Sequence, residues 1–335
     1  MTPHQIFMLY WPAQTLLTAV RLGIFDQLAH GPQTQEQVAH SLGLNGDATG
    51  RLLAALTGMG LTTQEGPQFS NAPGTTLTLV RNSPTYVGAI ADQHAEQLWP
   101  LWERLPTAVR EGRPVLREAF GGDRNPFDVL TSTPDQALKL IAGMHAGAIG
   151  MGELLATAHN FSLHRQVMDV GGGSGVVTAT LLALYPHLRA TLFDLPQVCQ
   201  ILPTFTRSYL GANRINAHPG NFFDPDTFPR GCDVAVLCRV LHDWNDEKAL
   251  QILRNTQMAL PPGGVILVEE NLLDSKAPGA RLFSALSNLT MLVLTDGGRE
   301  RTAAEYEELL RQAGLRVLGT VRVAEPVAVI KGVKL

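Results

Sequence analysis

His242 lies in the segment RVLHDWNDE, residues 239 to 247, directly after the apolar run DVAVLC. That run has the length and texture of a buried strand, and it gives way to Asn245 and Asp246, both good helix N-caps. An imidazole at such a strand end can move a proton near neutral pH, provided an acceptor fixes its second nitrogen as a donor. Three carboxylates are candidates. Glu269 and Glu270 end the run GVILVEE, and Glu300 in DGGRERT precedes a helix whose start is marked by Thr302 and Glu305. Strand alternation sends Glu269 and Glu270 to opposite faces, so only one of them can share a pocket with the histidine. The residues alone leave His242 open between a base and a packed histidine at a helix start. They leave Glu300 open between a partner for it and a solvated loop acid.

A second constellation surrounds VMDVGGGSGVVTATLLAL, where Gly171, Gly172, Gly173 and Gly175 follow an apolar strand and open a helix. Glycines there allow positive φ and a close backbone approach to a ligand. The spacing fails the GxGxxG test for a dinucleotide, because the sixth position is Val176 counted from Gly171 and Thr178 counted from Gly173. It fits the pattern in which an acid, Asp169, ends the strand and no pyrophosphate is held. In ATLFDLP, Asp194 ends the next strand, where a carboxylate can accept both hydroxyls of a ribose. An adenosine without a diphosphate is the implied ligand.

These residues need a sheet to carry them. From Val167 onward VMDV, ATLFD, INAHP, DVAVLC, GVILVEE, LRVLGTVRV and VAVIKGVKL alternate with helical stretches, which predicts an α/β fold with a parallel, doubly wound sheet. The N-terminal part reads differently. Thr34 with Gln37 marks one helix start and Asp47 another, that helix stopping near Gly60, and LTTQEGPQFSNAPGTTLTL alternates and turns as a hairpin does. Helix, helix, hairpin suggests a winged-helix-like domain over 1–105, followed by a catalytic domain over 106–335 that begins with a helical linker to about 160. Arg51 is the one Lys or Arg between Thr34 and Leu79, so a dimerisation or scaffold role is expected there rather than DNA binding.

At 335 residues, 45% hydrophobic, 17% charged and with net charge -4, the chain reads as an ordinary globular protein with no nucleic-acid partner expected. Three cysteines without a CxxC pair indicate neither a disulfide framework nor zinc, and a cytoplasmic setting is the default expectation. The apolar opening IFMLYWPAQTLLTAV contains Pro12 and is too short for a membrane span. It is expected to be a buried helix.

In order along the chain, DVGGGSG, FDLPQV, GNFF, RVLHDWNDE, PPGGVILVEE and GGRERTAAEYEELL resemble the successive motifs of the S-adenosylmethionine-dependent small-molecule O-methyltransferases of the caffeate and acetylserotonin type. The resemblance implies a Rossmann-like methyltransferase sheet, S-adenosyl-L-methionine as cofactor, a homodimer, and a small aromatic or enolic hydroxyl as acceptor. It implies His242 as general base, oriented by Glu270 and Glu300. Gly171, Gly173, Asp194, Leu195, Asn221, Phe222 and Arg239 would hold the cofactor. Met144, Asn288 and Met291 would line the acceptor pocket, with Trp99 and Trp102 as further candidates. No metal is implied, since no acidic cluster of ligand type accompanies the glycine loop. One position departs from the pattern: Asn221 stands where the family usually has Asp, which weakens the expected hold on the adenine. Two other readings are a methyltransferase-fold enzyme repurposed as a cyclase, pericyclase or hydroxylase, and a winged-helix regulator.

Overall fold

The computed structural model describes residues 2–83, 85–121, 126–131 and 133–335. The chain divides after Gln97 into two compact units, whereas the sequence reading puts the division at 105.

In the first unit the apolar opening is not one buried helix. It breaks into Pro3–Phe7 and Tyr10–Leu22, and Pro12 falls in the first turn of the second helix, where a missing N–H leaves no bond unmade. Ile6, Phe7, Leu9, Tyr10 and Trp11 are exposed, because nothing among the described residues covers that face. Thr34 caps Gln35–Leu42 in a reciprocal box with Gln37. Asn45, not Asp47, caps Gly46–Gly58, by accepting from the N–H of Ala48. The hairpin Thr62–Glu65 and Gln68–Asn71 follows, and Gln33–Thr34 adds a third antiparallel strand. Val20, Ile24, Phe25, Leu53, Leu56 and Phe69 form the core of this winged-helix-like unit.

The second unit carries seven strands: β1 (Gln166–Val170), β2 (Arg189–Asp194), β3 (Ile215–Pro219), β4 (Val234–Cys238), β5 (Val265–Asn271), β6 (Leu315–Ala324) and β7 (Val327–Lys334). Their spatial order is β3-β2-β1-β4-β5-β7-β6. The first five are parallel, as continuous apolar runs between helices require. The last two pair antiparallel, so the sheet is mixed and not wholly parallel. The reason is local, since only a short turn joins β6 to β7 and a parallel return would need a crossover. Apolar side chains cover both faces, with Met168, Phe193, Leu237 and Val268 on one and Val167, Val236, Leu267 and Val329 on the other. The ends of β1, β2, β4 and β5 therefore open on one edge, where the switch in strand order between β1 and β4 leaves a crevice.

Candidate active site

The loop after β1 forms the floor of that crevice. Gly171 and Gly173 have φ of 69° and 54°, values that an L side chain rarely adopts. A Cβ on Gly171 would lie 3.0 Å from the Val240 side chain, and one on Gly172 would lie 2.7 Å from the carboxyl carbon of Asp169. Around Gly173 a Cβ would meet nothing within 4 Å, so the backbone there faces open space. Asp194, ending β2, accepts the N–H of Gly173 at 2.8 Å and that of Leu195 at 2.7 Å. Burial pushes its carboxyl up to about 6 against those two bonds. Asp169 is likewise pushed up to about 6 by burial, opposed by a hydrogen bond from the Thr178 hydroxyl.

The cleft above this floor is lined by Gly171, Gly173, Asp194, Leu195, Asn221 and Phe222, together with Arg239, Asp243, Trp244 and Met144. All the residues expected at the cofactor are thus on one surface. Asn221 spends a lone pair of its side-chain oxygen on the N–H of Phe223 at 3.0 Å, so one acceptor position remains. Phe222 is edge-on to Trp244 at a centroid distance of 5.7 Å, which fixes both rings at the cleft. An adenosine with a short charged tail fits what this surface offers: a carboxylate at a strand end, a bare glycine backbone and an aromatic wall.

Past β4 the chain enters a single 3₁₀ turn, Leu241–Asp243, before the helix Asp246–Ala259 capped by Asn245. The turn holds His242 buried, 7% exposed, behind the cleft wall formed by its neighbours Asp243 and Trp244. Its Nδ1 lies 3.1 Å from Glu300 Oε1, and its Nε2 lies 3.5 Å from Asp243 Oδ1. Glu270 does not meet the ring. Its Oε1 accepts the backbone N–H groups of Leu241 at 2.9 Å and His242 at 3.3 Å, so it fixes the turn. The resemblance pairs Glu270 and Glu300 as orienters of the imidazole, and the structure separates those tasks.

Arg239, expected at the cofactor, lines the cleft and also reaches behind it. It has a positive φ of 56°, rare for a non-glycine residue, and although it lines the cleft its guanidinium turns inward. Nη2 donates to Glu300 Oε1 at 2.9 Å, while Nη1 is 3.4 Å from Glu270 Oε2 and 3.4 Å from Glu300 Oε2. With its amide oxygen turned towards the guanidinium, Asn271 accepts from both nitrogens at 2.9 and 3.2 Å. Side-chain atoms of His242, Glu270 and Glu300 lie within 4.8 Å of one another. Arg239 supplies the counter-charge in that grouping.

This company sets the protonation states. Burial and the Arg239 charge both oppose a proton on His242, yet Asp243, Glu270 and Glu300 outweigh them and raise the imidazole to about 9. In the free protein the surrounding carboxylates therefore favour the protonated ring. Glu300 would be pushed up by burial, but His242 and Arg239 hold it far below the ordinary carboxylate range.

On the acceptor side the expected residues scatter. Met144 lines the cleft, but Met291 is buried away from its lining, and Asn288 accepts the backbone N–H of Glu300 at 2.9 Å. Trp99 donates to Glu103, and Trp102 is off the cleft lining, in an apolar cluster with Phe127 and Leu140. Phe127, Leu140 and Ile141 line the cleft instead. Arg301, which the sequence reading passes over inside RER, is fully buried and stitches the histidine turn. Nη1 donates to Leu241 O at 3.0 Å, Nη2 to Trp244 O at 2.7 Å, and Nη2 also to Asp246 Oδ1 at 2.7 Å. The signal available in the sequence was the same DGGRERT segment that supplies Glu300, in which the neighbouring Glu300 and Arg301 are both fully buried.

Glu269 is on the opposite face from Glu270, as strand alternation requires, and neither of its buried oxygens has a hydrogen-bond partner. Burial pushes it up to about 8. A carboxyl with a raised folded-state value stabilises the fold below its unfolded value near 4.5 and loses that contribution as pH rises through 8. Glu269→Gln is accordingly expected to stabilise the protein at pH 8 by on the order of 3 kcal/mol and to flatten the fall in Tm between pH 5 and 8. Equal Tm-versus-pH curves for both proteins would show that Glu269 is already charged.

Residues 102–316 match the O-methyltransferase domain family, and residues 4–81 match the O-methyltransferase dimerisation domain. The chain is 34% identical to 3-hydroxy-5-methyl-1-naphthoate 3-O-methyltransferase of Streptomyces sahachiroi, over 97% of this chain and 92% of that one. It is also 34% identical to acetylserotonin O-methyltransferase of Gallus gallus, over 91% and 88%. The crystal structure of human N-acetylserotonin methyltransferase in complex with S-adenosylmethionine superimposes with a TM-score of 0.89 at 30% identity, covering 99% of this chain and 96% of that one. With the glycine floor, the strand-end Asp194 and the buried His242–Glu300 pair in place, the chain belongs to the S-adenosylmethionine-dependent O-methyltransferase family.

Proposed function

We propose that this enzyme methylates a hydroxyl on a small aromatic or enolic metabolite, with His242 as the general base, and that it works as a homodimer. The observation that carries the reading is the buried imidazole with a carboxylate on Nδ1, one residue from the cleft wall at Asp243. Bound S-adenosylmethionine supplies an electrophilic methyl carbon and a positive charge. Gly171 and Gly173 bring backbone close to it, Asp194 accepts from the ribose hydroxyls, and Phe222 covers the base. His242 Nε2 takes the proton of the acceptor hydroxyl as the oxygen attacks, and Glu300 holds Nδ1 as a donor throughout. Phe127, Leu140, Ile141, Met144 and Trp244 offer apolar walls that exclude water and suit a flat ring. The exposed apolar residues 6–11, within the matched dimerisation domain, support the homodimer.

Incubation with methyl-labelled S-adenosylmethionine and a panel of naphthols, hydroxyindoles and hydroxyquinones tests the reading. Labelled product with stoichiometric S-adenosylhomocysteine is expected. Tight cofactor binding in calorimetry with no S-adenosylhomocysteine from any acceptor would point to the repurposed cyclase or hydroxylase instead.

A pH profile follows from the charge state of His242. Because the base works only without its proton, kcat/KM is expected to climb about tenfold per pH unit through neutrality and level off towards 9. The acid limb of kcat is expected at lower pH, since positive charge in the cleft weakens the hold of His242 on its proton. A flat profile from pH 6 to 9 would mean that no group of this kind limits turnover.

A further inference from the structure

Glu300 Oε1 receives three donors: His242 Nδ1 at 3.1 Å, Arg239 Nη2 at 2.9 Å and the Ser287 hydroxyl at 2.6 Å. A carboxylate oxygen has lone pairs for two good hydrogen bonds, so three donors compete for it. Ser287 comes from the helix Pro278–Leu294, Arg239 from the end of β4 and Glu300 from the loop before the helix Ala303–Gln312. Two elements besides the histidine turn therefore converge on the atom that orients the histidine. The positive φ at Arg239 is what turns its side chain to this place, and Arg239 also reaches Ser287 Oγ at 3.5 Å.

Resting on the reading of His242 as the base, we propose that Arg239 and Ser287 are positioning residues that set the proton affinity of His242 through Glu300. The charges facing the imidazole are Asp243 on its own turn, Arg239 from β4, Glu270 from β5 and Glu300 from the following loop, with Tyr306 close to both glutamates. Arg301 meets the turn only at its carbonyls. Within this set Arg239 is the one cation set against three carboxylates, and it acts against a proton on the ring. Taking it away leaves the imidazolium as the counter-ion of the cluster, so the ring holds its proton more tightly. Ser287 acts in the same direction with less force, by occupying part of the electron density that Glu300 would otherwise turn to Nδ1. Without both, the ring would hold its proton to still higher pH and be free to accept one over a narrower range.

The test reads the imidazole itself and then turnover. In protein with isotopically labelled histidine and no cofactor, NMR titration of His242 is expected to move up by at least one pH unit in Arg239→Met and by a few tenths in Ser287→Ala, with Arg239→Lys restoring most of the shift. The acid limb of kcat is expected to move by the same amounts. This titration needs no turnover, so it stands apart from the question of whether the enzyme methylates at all. Should Arg239→Met fail to fold, Ser287→Ala carries the test alone. An unmoved His242 titration in either folded variant overturns the proposal. A raised Kd for S-adenosylmethionine with no titration change would place Arg239 at the cofactor instead.

Discussion

Replacing His242 with Ala is expected to lower kcat at least ~100-fold while the Kd for S-adenosylmethionine stays within a few-fold of wild type. The split follows from geometry. His242 is buried behind Asp243 and Trp244 and is absent from the cleft lining, so cofactor binding loses little with the ring. Positioning of the two reactants survives and accounts for the residual rate, because a direct displacement needs no covalent step. Only the proton transfer is lost, and general-base help is worth about 10²- to 10⁴-fold. The variant should also lose pH dependence below 9, which distinguishes a lost base from a displaced acceptor. Full turnover in His242→Ala would show that the acceptor ionises unaided.

Arg301→Leu is expected to produce the largest loss of stability. Arg301 is fully buried and bonds to the carbonyls of Leu241 and Trp244 and to Asp246. Leucine fills part of the volume but leaves two carbonyl oxygens without their donor. Asp246 is exposed and keeps its water, so the cost is that of two buried carbonyls left unpaired, about 1 to 3 kcal/mol each. For a protein of this size that corresponds to a Tm lower by roughly 5 to 15 °C. Turnover should fall with it even well below Tm, since the 3₁₀ turn that aims His242 loses its tie. A variant with wild-type Tm and activity would mean that the turn is held by Glu270 alone.

What was legible in the sequence divides along the distance between partners. The glycine floor, Asp194 and the apolar strands are local features, each written into one βα unit, and the five parallel strands follow from that alternation. The antiparallel end of the sheet was not legible, because LRVLGTVRV and VAVIKGVKL carry the same apolar texture whichever way they pair. The histidine and the carboxylate that meets it were identifiable as types, but the division of labour between the two glutamates was not. Whether Glu270 meets a ring or a backbone depends on which oxygen the 3₁₀ turn presents, and no pattern of spacing records that. Arg239 was expected at the cofactor and Arg301 was passed over, and spacing records for neither that oxygen atoms from elements far along the chain draw it inward. The N-terminal helix was misjudged, since an apolar face does not say which molecule covers it.

Arg301 and Glu300 reach back 60 and 58 residues to the turn they organise. The nucleoside crevice, by contrast, is complete once β4 and its neighbours exist. During synthesis on the ribosome the two halves of the chemistry thus mature at different times. A nascent chain stopped before residue 300 already holds every residue that lines the crevice, yet it carries an imidazole that nothing has aimed.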